Sequence, residues 1–335
     1  MAGRHFAAAR VRAVEDVADD VRLIEIEPEA GARPYPTGSH IDVAVLLGEL
    51  PDVRSYSLVG EQPVDGAYRI AVKELADSRG GSLYVRALGP DARLEVSEPK
   101  SHFELQYGRP EYLLVAGGIG ITPLVGMAHA LHRHGAPLRL LYAARTRGQL
   151  AFAGELRELL GDRLELFVSD EGRRLDLAAQ VEPLLPEGEL YLCGPLRLRE
   201  AAQRAWREQE RPSDRLRFET FASGGRFAAE PFDVCVRDHG DKRVHVPQNR
   251  TMLDALRDAG VEVMWDCLRG ECGLCAVTVV GAEGDLDHRD VFLSEDEQLE
   301  GHSLCTCVSR AVGGSLKVDT GFRPGAERLK ATMET

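Results

Sequence analysis

Three cysteines lie within nine residues near the C-terminal end of the chain, in the stretch CLRGECGLC. Cys267, Cys272 and Cys275 have the spacing C-x4-C-x2-C, and a fourth thiol follows about thirty residues later, at Cys305 or Cys307. This is the spacing of a plant-type [2Fe–2S] cluster, whose ligands are four thiolates. Two intervening glycines permit the close turns of a ligand loop, whose backbone N–H groups can point at the sulfurs. The spacing therefore predicts an iron–sulfur cluster.

The gap length does not decide which cysteine is the fourth ligand. Cys305 leaves 29 residues after Cys275, as in plant ferredoxins, and Cys307 leaves 31. The intervening segment is polar and can absorb an insertion at little cost. On an extended segment the two side chains, two residues apart, project to the same side, so both thiols are expected near the cluster.

Zinc and simple packing are the alternatives for these thiols. Structural zinc takes two C-x(2–4)-C pairs, and Cys305 with Cys307 would form too tight a second pair. Cys193 and Cys235 stand alone within apparent strands and are expected to be small buried residues. The N-terminus lacks the apolar region of a secretory signal, so we expect a cytoplasmic protein whose reduced thiols bind metal.

A second set of chemical residues lies in the N-terminal third. The stretch RSYSL offers Arg54 for a phosphate or flavin edge, Tyr56 for stacking on a flavin, and Ser57 for a flavin ring nitrogen. Downstream, AVK ends at Lys73, and SRGGS precedes a helix whose free N–H groups can hold a phosphate. The phosphate-holding candidates in this turn are Arg79, Gly80, Gly81 and Ser82. Each stretch alone is typical of ordinary surface; together, in this order, they predict a flavin site.

A third set follows two buried strands. LLVAGGIGITP is a strand, a glycine-rich turn with Gly117, Gly118 and Gly120, and a helix start, which lets the backbone approach a dinucleotide. It departs from the G-x-G-x-x-G fingerprint. YLCGP ends a later strand, with Gly194 and Pro195 in its turn. We expect a nicotinamide dinucleotide here, with Asp170 near the adenine ribose.

These motifs fall into three segments that differ in the periodicity of their apolar residues. Residues 1–107 alternate as short strands and predict an antiparallel β-barrel, and residues 108–222 alternate strands and helices, which predicts a doubly wound parallel sheet. Residues 223–230 resemble a linker, and residues 231–335 form a third domain. A net charge of −13 argues against a nucleic-acid binder, and no apolar run is long enough to span a membrane.

The motifs DCLRGECGLC, DHRDVFLSEDE, CVSRA and LKVDTGF together resemble the C-terminal ferredoxin domain of the phthalate dioxygenase reductase family. This family comprises the reductases of two-component Rieske oxygenases, including vanillate demethylase. The order of barrel, nucleotide domain and ferredoxin extends the resemblance over essentially the whole chain. It implies an α+β ferredoxin-like (β-grasp) third domain, and FMN rather than FAD in the first.

The resemblance also implies roles for single residues. Family members carry a ligand cysteine directly before the equivalent of VSRA, which selects Cys307. The wider superfamily places the two glycine turns at one sheet edge, so that Thr122 faces both flavin and nicotinamide while Cys193 and Gly194 line the nicotinamide pocket. Arg145 and Arg147 could bind a 2′-phosphate, but NADH-using relatives have a similar arginine and phenylalanine, here Arg145 and Phe152, so NADH is the expected donor.

One mechanism joins the three sites. NADH delivers electrons as a hydride pair and a cluster accepts one at a time, so a flavin must stand between them. No acid–base residue is needed, and the histidines at His102, His129, His132 and His134 are expected to be surface or structural groups.

We expect a monomer that serves a terminal oxygenase, either a Rieske non-haem iron protein or a cytochrome P450. The acidic segment 283–301 is expected either to dock a basic partner surface or to be a solvated loop. A zinc-stabilised binding protein without redox activity is the alternative from another class.

Overall fold

The computed structural model describes residues 5–47, 50–74, 81–221, 227 and 229–321. The chain divides into two compact units, Met1–Phe221 and Ala222–Thr335. Within the described ranges, no helix combines the length and the apolar character that crossing a bilayer requires.

The first half of unit one is an antiparallel sheet. Its described elements are β1 (Phe6–Ala18), β2 (Val21–Pro28), β3 (Ser39–Leu47), β4 (Leu50–Ser57), β5 (Tyr68–Lys73), α1 (Gly81–Arg86), β6 (Arg93–Ser97) and β7 (Lys100–Ser101). The strand order is β4-β3-β6-β1-β2-β5, and β7 pairs with β3. The two end strands of this order, β4 and β5, approach each other at a single bridge between Leu58, directly after β4, and Ile70 in β5. Beside this bridge, the Val59 N–H donates to the Arg69 carbonyl at 2.8 Å. Continuous strand pairing does not close the sheet in the described residues.

The second half of unit one is the predicted doubly wound sheet. Residues 108–221, all of which are described, contain β8 (Tyr112–Gly117), α2 (Ile121–Arg133), β9 (Leu138–Ala144), α3 (Ala153–Leu160), β10 (Leu164–Val168), α4 (Leu177–Val181), β11 (Glu189–Cys193), α5 (Leu196–Glu208) and β12 (Leu216–Glu219). The order is β10-β9-β8-β11-β12, with every pair parallel. Alternate residues of the central strand enter different cores: Leu114 faces one and Leu113 the other, as in a sheet covered on both sides.

The two halves of unit one share a hydrophobic core. Val21, Leu23 and Val59 of the antiparallel half are buried in the same cluster as Ile121 and Leu124 of α2. A Cβ added at Gly126 of α2 would lie 2.2 Å from the Gly60 carbonyl oxygen, so the backbones are in direct contact there. This shared packing holds the flavin and nicotinamide candidates in one body.

Unit two has a five-stranded mixed sheet. Its described elements are β13 (Phe232–Val236), β14 (Lys242–Val246), α6 (Met252–Asp258), β15 (Ala276–Ala282), β16 (Asp285–Asp287), α7 (Glu295–Glu300), β17 (Ser303–Cys305), β18 (Arg310–Val312) and β19 (Ser315–Asp319). The order is β14-β13-β19-β15-β17, in which β13 and β19 are parallel, and β16 pairs with β18 alone. The Thr251 side chain caps α6 by accepting from the Asp254 N–H at 3.0 Å.

The expected linker 223–230 is partly bound to unit two. The Phe227 carbonyl accepts a hydrogen bond from Arg289 at 3.1 Å, and the Glu230 carbonyl accepts one from Arg310 at 2.9 Å. Both arginines are buried, and so is Ala229. Residues 222–226 and 228 lie outside the described residues. The described end of this stretch therefore contributes acceptors to the ferredoxin-like unit.

We expect fragments beginning at residue 227 or residue 230 to fold, because the apolar core of unit two lies within both. The shorter fragment lacks the Phe227 carbonyl, which removes one of the acceptors of the buried Arg289 guanidinium and should lower the free energy of unfolding by about 1.5–3 kcal/mol. Urea unfolding followed by circular dichroism compares the two. Equal free energies of unfolding would show that the hydrogen bond from Arg289 to the Phe227 carbonyl does not contribute to stability.

Candidate functional site

The loop that carries the first three cysteines wraps its backbone around a sulfur. The N–H groups of Arg269, Glu271 and Cys272 each lie 3.4 Å from the Cys267 Sγ. Gly270, at φ +72°, makes the turn possible, and a Cβ there would lie 2.6 Å from the Val308 side chain. Donors aimed at a sulfur stabilise negative charge on it, as a thiolate ligand requires.

The remaining thiols meet on the other side of this loop. The Cys275 Sγ lies 3.2 Å from the Cys307 Sγ, and Cys305 belongs to the same buried cluster. Hydrogen bonds from Cys305 and Cys307 hold the pKa of Cys275 well below its usual range. Cys272 contacts Cys267 and is less buried than the other thiols near the loop.

Cys305 and Cys307 both approach Cys275, but not because the segment is extended. The N–H groups of Val308 and Ser309 donate to the Cys305 carbonyl at 3.3 and 3.0 Å, so the chain turns directly after β17. Cys305 pairs with Ala276 inside the sheet and is fully buried. Cys307 lies in the turn, where the Gly270 N–H of the ligand loop donates to its thiol. The expectation of an extended 305–307 segment is wrong.

The donor set fits a two-iron cluster. Cys267 lies with Cys272, and Cys275 lies with Cys307, so that each of two irons could be held by one of these pairs. Among the described residues, no three Cys, His, Asp or Glu side chains are gathered as a single metal ion needs. A Cβ at Gly273 would lie 2.3 Å from the Phe292 ring, so the loop is also tightly covered there.

The RSYS strand brings Arg54 to the start of α1. Its Nη1 lies 2.7 Å from Asp52 Oδ2 and 2.8 Å from the Val53 carbonyl oxygen. Its side chain also lies against Gly81, where a Cβ would be 2.3 Å from Nε. Two of the predicted phosphate-holding elements therefore meet. Ser82 follows within α1, and Arg79 and Gly80 lie outside the described residues.

Tyr56 and Lys73 lie on either side of this region. Tyr56 packs against the core of the antiparallel sheet, and burial raises its pKa to about 12, so its phenol stays protonated. Lys73 Nζ lies 3.2 Å from Asp20 Oδ2 and would be 3.8 Å from a Cβ at Gly118. Lys73 thus links the antiparallel sheet to the glycine-rich turn of the parallel one.

The two glycine turns are in contact at the carboxyl edge of the parallel sheet. They follow the neighbouring strands β8 and β11, in which Ala116 pairs with Cys193. A Cβ at Gly120 would lie 2.1 Å from the Cys193 carbonyl oxygen, and one at Gly117 would lie 2.6 Å from Pro195 Cδ. Gly194 in turn has no room for a Cβ beside Gly117. Side chains at these positions would force the turns apart.

Thr122 is buried at the start of α2. Its hydroxyl donates to the Ile119 carbonyl at 3.0 Å and so stabilises the glycine-rich turn itself. Beyond the next strands, Arg145 Nε lies 3.5 Å from Asp170 Oδ1, and both side chains are largely exposed. Phe152 adopts the left-handed conformation at φ +61° and is buried in the core. Arg145 and Asp170 therefore share one exposed edge, whereas Phe152 is part of the core.

Sequence reasoning missed Glu219. This residue ends β12 directly beside Cys193, is 1% exposed, and accepts a hydrogen bond from Ser57 Oγ at 3.1 Å. The bond joins the flavin motif to the sheet edge that carries the nicotinamide motif. The signal was available in LRFE, a strand that ends on an acid, but the strand itself was not predicted.

The histidines do not enter these sites. His129 pairs with Glu155 at 2.7 Å, which raises its pKa, and His132 accepts from Arg163 at 3.0 Å. His134 contacts the Tyr107 ring, and His102 stacks on His40. Cys193 is fully buried as expected, but Cys235 is only half-buried, with its Sγ 3.5 Å from Asp241 Oδ1.

The acidic segment 283–301 is only partly solvated and is not a loop throughout. It forms β16 and α7, and Asp287 at the end of β16, with Arg289 and Asp290 after it, are each no more than 5% exposed. Arg289 Nη2 lies 2.6 Å from Asp287 Oδ2. Pairing lets Asp287 and Arg289 enter the interior, and hydrogen bonds from Ser309 and the Leu293 N–H do the same for Asp290, which a composition-based expectation cannot anticipate.

Two protein-family models match the chain. The 2Fe-2S iron-sulfur cluster binding domain matches residues 236–312, and the oxidoreductase NAD-binding domain matches residues 114–204. The chain is 38% identical over 318 residues to phenoxybenzoate dioxygenase subunit beta of Ectopseudomonas oleovorans, covering 92% of this chain and 96% of that protein.

Two solved structures are also similar. One is phthalate dioxygenase reductase, described as modular for electron transfer from pyridine nucleotides to [2Fe–2S], with a TM-score of 0.75, 31% identity, and coverage of 94% and 98%. The other is an intact type IV self-sufficient cytochrome P450 monooxygenase, with a TM-score of 0.66 and 35% identity. That match covers 93% of this chain but only 41% of the longer one.

Fold and sites thus define an NAD-binding oxidoreductase that carries a [2Fe–2S] domain. The chain belongs to the phthalate dioxygenase reductase family. The predicted family and the predicted reductase activity are confirmed, and so are a [2Fe–2S] domain and an NAD-binding domain.

We expect Cys305→Ser to keep the visible absorbance and the reduced-state paramagnetic signal of the cluster, because Cys305 lies within the sheet. Cys307→Ser should lose or badly destabilise both, because Cys307 faces the ligand loop. Absorbance and electron paramagnetic resonance of the two purified variants decide the assignment. NADH oxidation with ferricyanide serves as the control and should persist in both; the reverse pattern would make Cys305 the ligand.

Proposed function

We propose that this chain is the reductase component of a two-component oxygenase system. It passes electrons from NADH through FMN and a [2Fe–2S] cluster to a Rieske-type non-haem iron oxygenase. The observation that carries the proposal is the meeting of the RSYS strand with both glycine turns, through Ser57, Glu219 and Cys193. A flavin and a nicotinamide held by these elements would be neighbours, as hydride transfer requires.

The antiparallel half would hold the FMN, and we propose that it acts as a flavin-binding barrel. The Leu58–Ile70 bridge between its edge strands supports this interpretation. Arg54, held by Asp52 against Gly81, would bind the phosphate, and Tyr56 would lie along the ring system. When bound, the flavin supplies the conversion between a two-electron donor and a one-electron acceptor.

The contact between the glycine turns would form the nicotinamide site. Because Gly117, Gly120 and Gly194 lack side chains, their backbone can approach the dinucleotide closely. Arg145 and Asp170 lie at the carboxyl ends of β9 and β10, where the adenosine half would extend. An Asp170 carboxylate near the ribose hydroxyls favours NADH, since it would repel a 2′-phosphate.

Glu219 would organise the junction of the two sites. It holds the Ser57 hydroxyl, so that Ser57 presents a fixed hydrogen-bonding group to the flavin, and it keeps a buried carboxylate beside Cys193. In an interior of low dielectric, this arrangement fixes the polarity of the site before the reactants meet.

In unit two, Cys267, Cys272, Cys275 and Cys307 would hold the cluster. Cys272, the less buried thiol, marks the edge from which an electron leaves, and Leu274 and Phe292 are exposed beside it at 46% and 48%. A cytochrome P450 is the second candidate partner, because the chain matches part of a self-sufficient P450 monooxygenase. The similarity to phenoxybenzoate dioxygenase subunit beta and the full-length match to phthalate dioxygenase reductase favour a separate oxygenase as the partner.

The purified protein should release FMN and show flavin and iron–sulfur absorbance that NADH bleaches under anaerobic conditions. Chromatography of the released cofactor and an NADH titration measure this. Ferricyanide reduction should give a higher kcat/KM with NADH than with NADPH. FAD as the sole released flavin would refute FMN, and the absence of iron–sulfur absorbance would refute the reductase.

We expect Glu219→Ala to slow the reduction of the flavin by NADH about tenfold or more, because loss of a hydrogen bond to a charged group costs about 1.5–3 kcal/mol. Stopped-flow absorbance at the flavin band measures this rate. Glu189 is the matched control: it is equally buried but begins β11, at the opposite edge of the sheet. Glu189→Gln should lower stability and leave the rate near that of the parent; equal slowing by both would remove the special role of Glu219.

A further inference from the structure

A buried carboxylate lies directly behind the cysteine loop. The side chain of Asp290 is 0% exposed, and its backbone packs on Gly270, where a Cβ would be 2.8 Å from the Asp290 Cα. The next residue, Val291, donates its N–H to the Gly270 carbonyl at 2.9 Å. The loop between Cys267 and Cys272 is therefore seated on Asp290.

Asp290 also holds the turn that carries Cys307. Its Oδ1 accepts from Ser309 Oγ at 2.9 Å, and its Oδ2 accepts from the Leu293 N–H at 3.0 Å. Ser309 lies two residues after Cys307 and itself accepts from the Arg289 N–H at 3.0 Å. One carboxylate thus joins the ligand loop, the ligand turn and the segment that leads into α7.

The charge of Asp290 is not cancelled by a neighbouring cation of fixed charge. Within the described ranges, no lysine or arginine lies at ion-pair distance from it, and the His288 Nδ1 is 3.6 Å away. Burial raises the pKa of Asp290, but hydrogen bonds from His288, the Leu293 N–H and Ser309 outweigh burial and hold the pKa below the usual value, so Asp290 remains an anion. Asp287, three residues earlier in the chain, is by contrast paired with Arg289.

A buried anion beside a cluster opposes its reduction. The cluster gains one negative charge when it is reduced, and net charge and hydrogen bonding around the sulfurs set its potential. Asp290 lies close to both ligand segments, because it packs on Gly270 between Cys267 and Cys272 and accepts from Ser309, two residues after Cys307. Hydrogen bonds from Ser309 and Leu293 spread part of that charge.

We propose that Asp290 is a positioning residue that joins the two ligand segments and lowers the reduction potential of the cluster. The proposal rests on the proposed function only in requiring that the cluster binds. It gives this buried segment a role in electron transfer that differs from docking a partner.

The test is a mediated redox titration of the full chain, followed by electron paramagnetic resonance for the cluster and by absorbance for the flavin. Asp290→Asn should favour the reduced cluster about tenfold, which for one electron is about 59 mV in the positive direction. Asp287→Asn, the matched control, removes a buried carboxylate that is paired with Arg289 and should shift the potential much less. The flavin potential should stay unchanged in both variants.

The variant Ser309→Ala distinguishes an effect of the Asp290 charge from a structural disturbance of the cluster region. It removes a hydrogen bond that spreads the Asp290 charge, so the cluster should become harder to reduce, the opposite sign to Asp290→Asn. If Asp290→Asn does not hold a cluster, the sign of the Ser309→Ala shift decides. An unchanged or positive shift in Ser309→Ala, or equal shifts in the two aspartate variants, would overturn the proposal. A parent protein without a cluster would instead refute the proposed function.

Discussion

Hydride transfer requires contact, and this constraint explains the construction of unit one. Reacting atoms must come within about 3–3.5 Å, so the two cofactor sites cannot be placed on bodies that move independently. The glycine turns after β8 and β11 touch, and Glu219 holds Ser57 across from them. The hydrophobic core shared by the antiparallel sheet and α2 then fixes these elements, because a close-packed interior resists sliding.

Electron transfer to a cluster places a different demand on unit two. No atom is transferred, so this part of the chain has its own core and sheet, separate from the first unit. The cluster needs thiolate ligands and hydrogen-bond donors that stabilise the negative charge of those thiolates. The N–H groups around Cys267 and the turn at Cys307 provide both from local backbone geometry.

Much of this architecture was predictable because it follows local rules. The period of apolar residues predicted the strands and helices from β8 to α5, and cysteine spacing predicted the cluster. β12 and α4 were missed, since each spans no more than five residues, too few for a period to be recognised, and Glu219 was missed with β12. The resemblance to the family favoured Cys307 over Cys305 as the fourth ligand. The turn after β17 gives a physical reason for that choice, which the number of residues in the gap did not supply.

The largest error concerned polarity, and its cause lies in how the cluster region is packed. A loop that must aim backbone N–H groups at sulfurs exposes polar backbone to the interior, so apolar side chains alone cannot surround it. The chain meets this with a network of buried polar contacts: Asp287 with Arg289, Asp290 with Ser309, and Arg289 with the Phe227 carbonyl. Such networks specify one arrangement because every alternative strands a buried charge. From composition alone, Asp, His and Arg are expected at the surface. Here their contacts with one another and with their neighbours allow the segment to pack behind the cysteine loop.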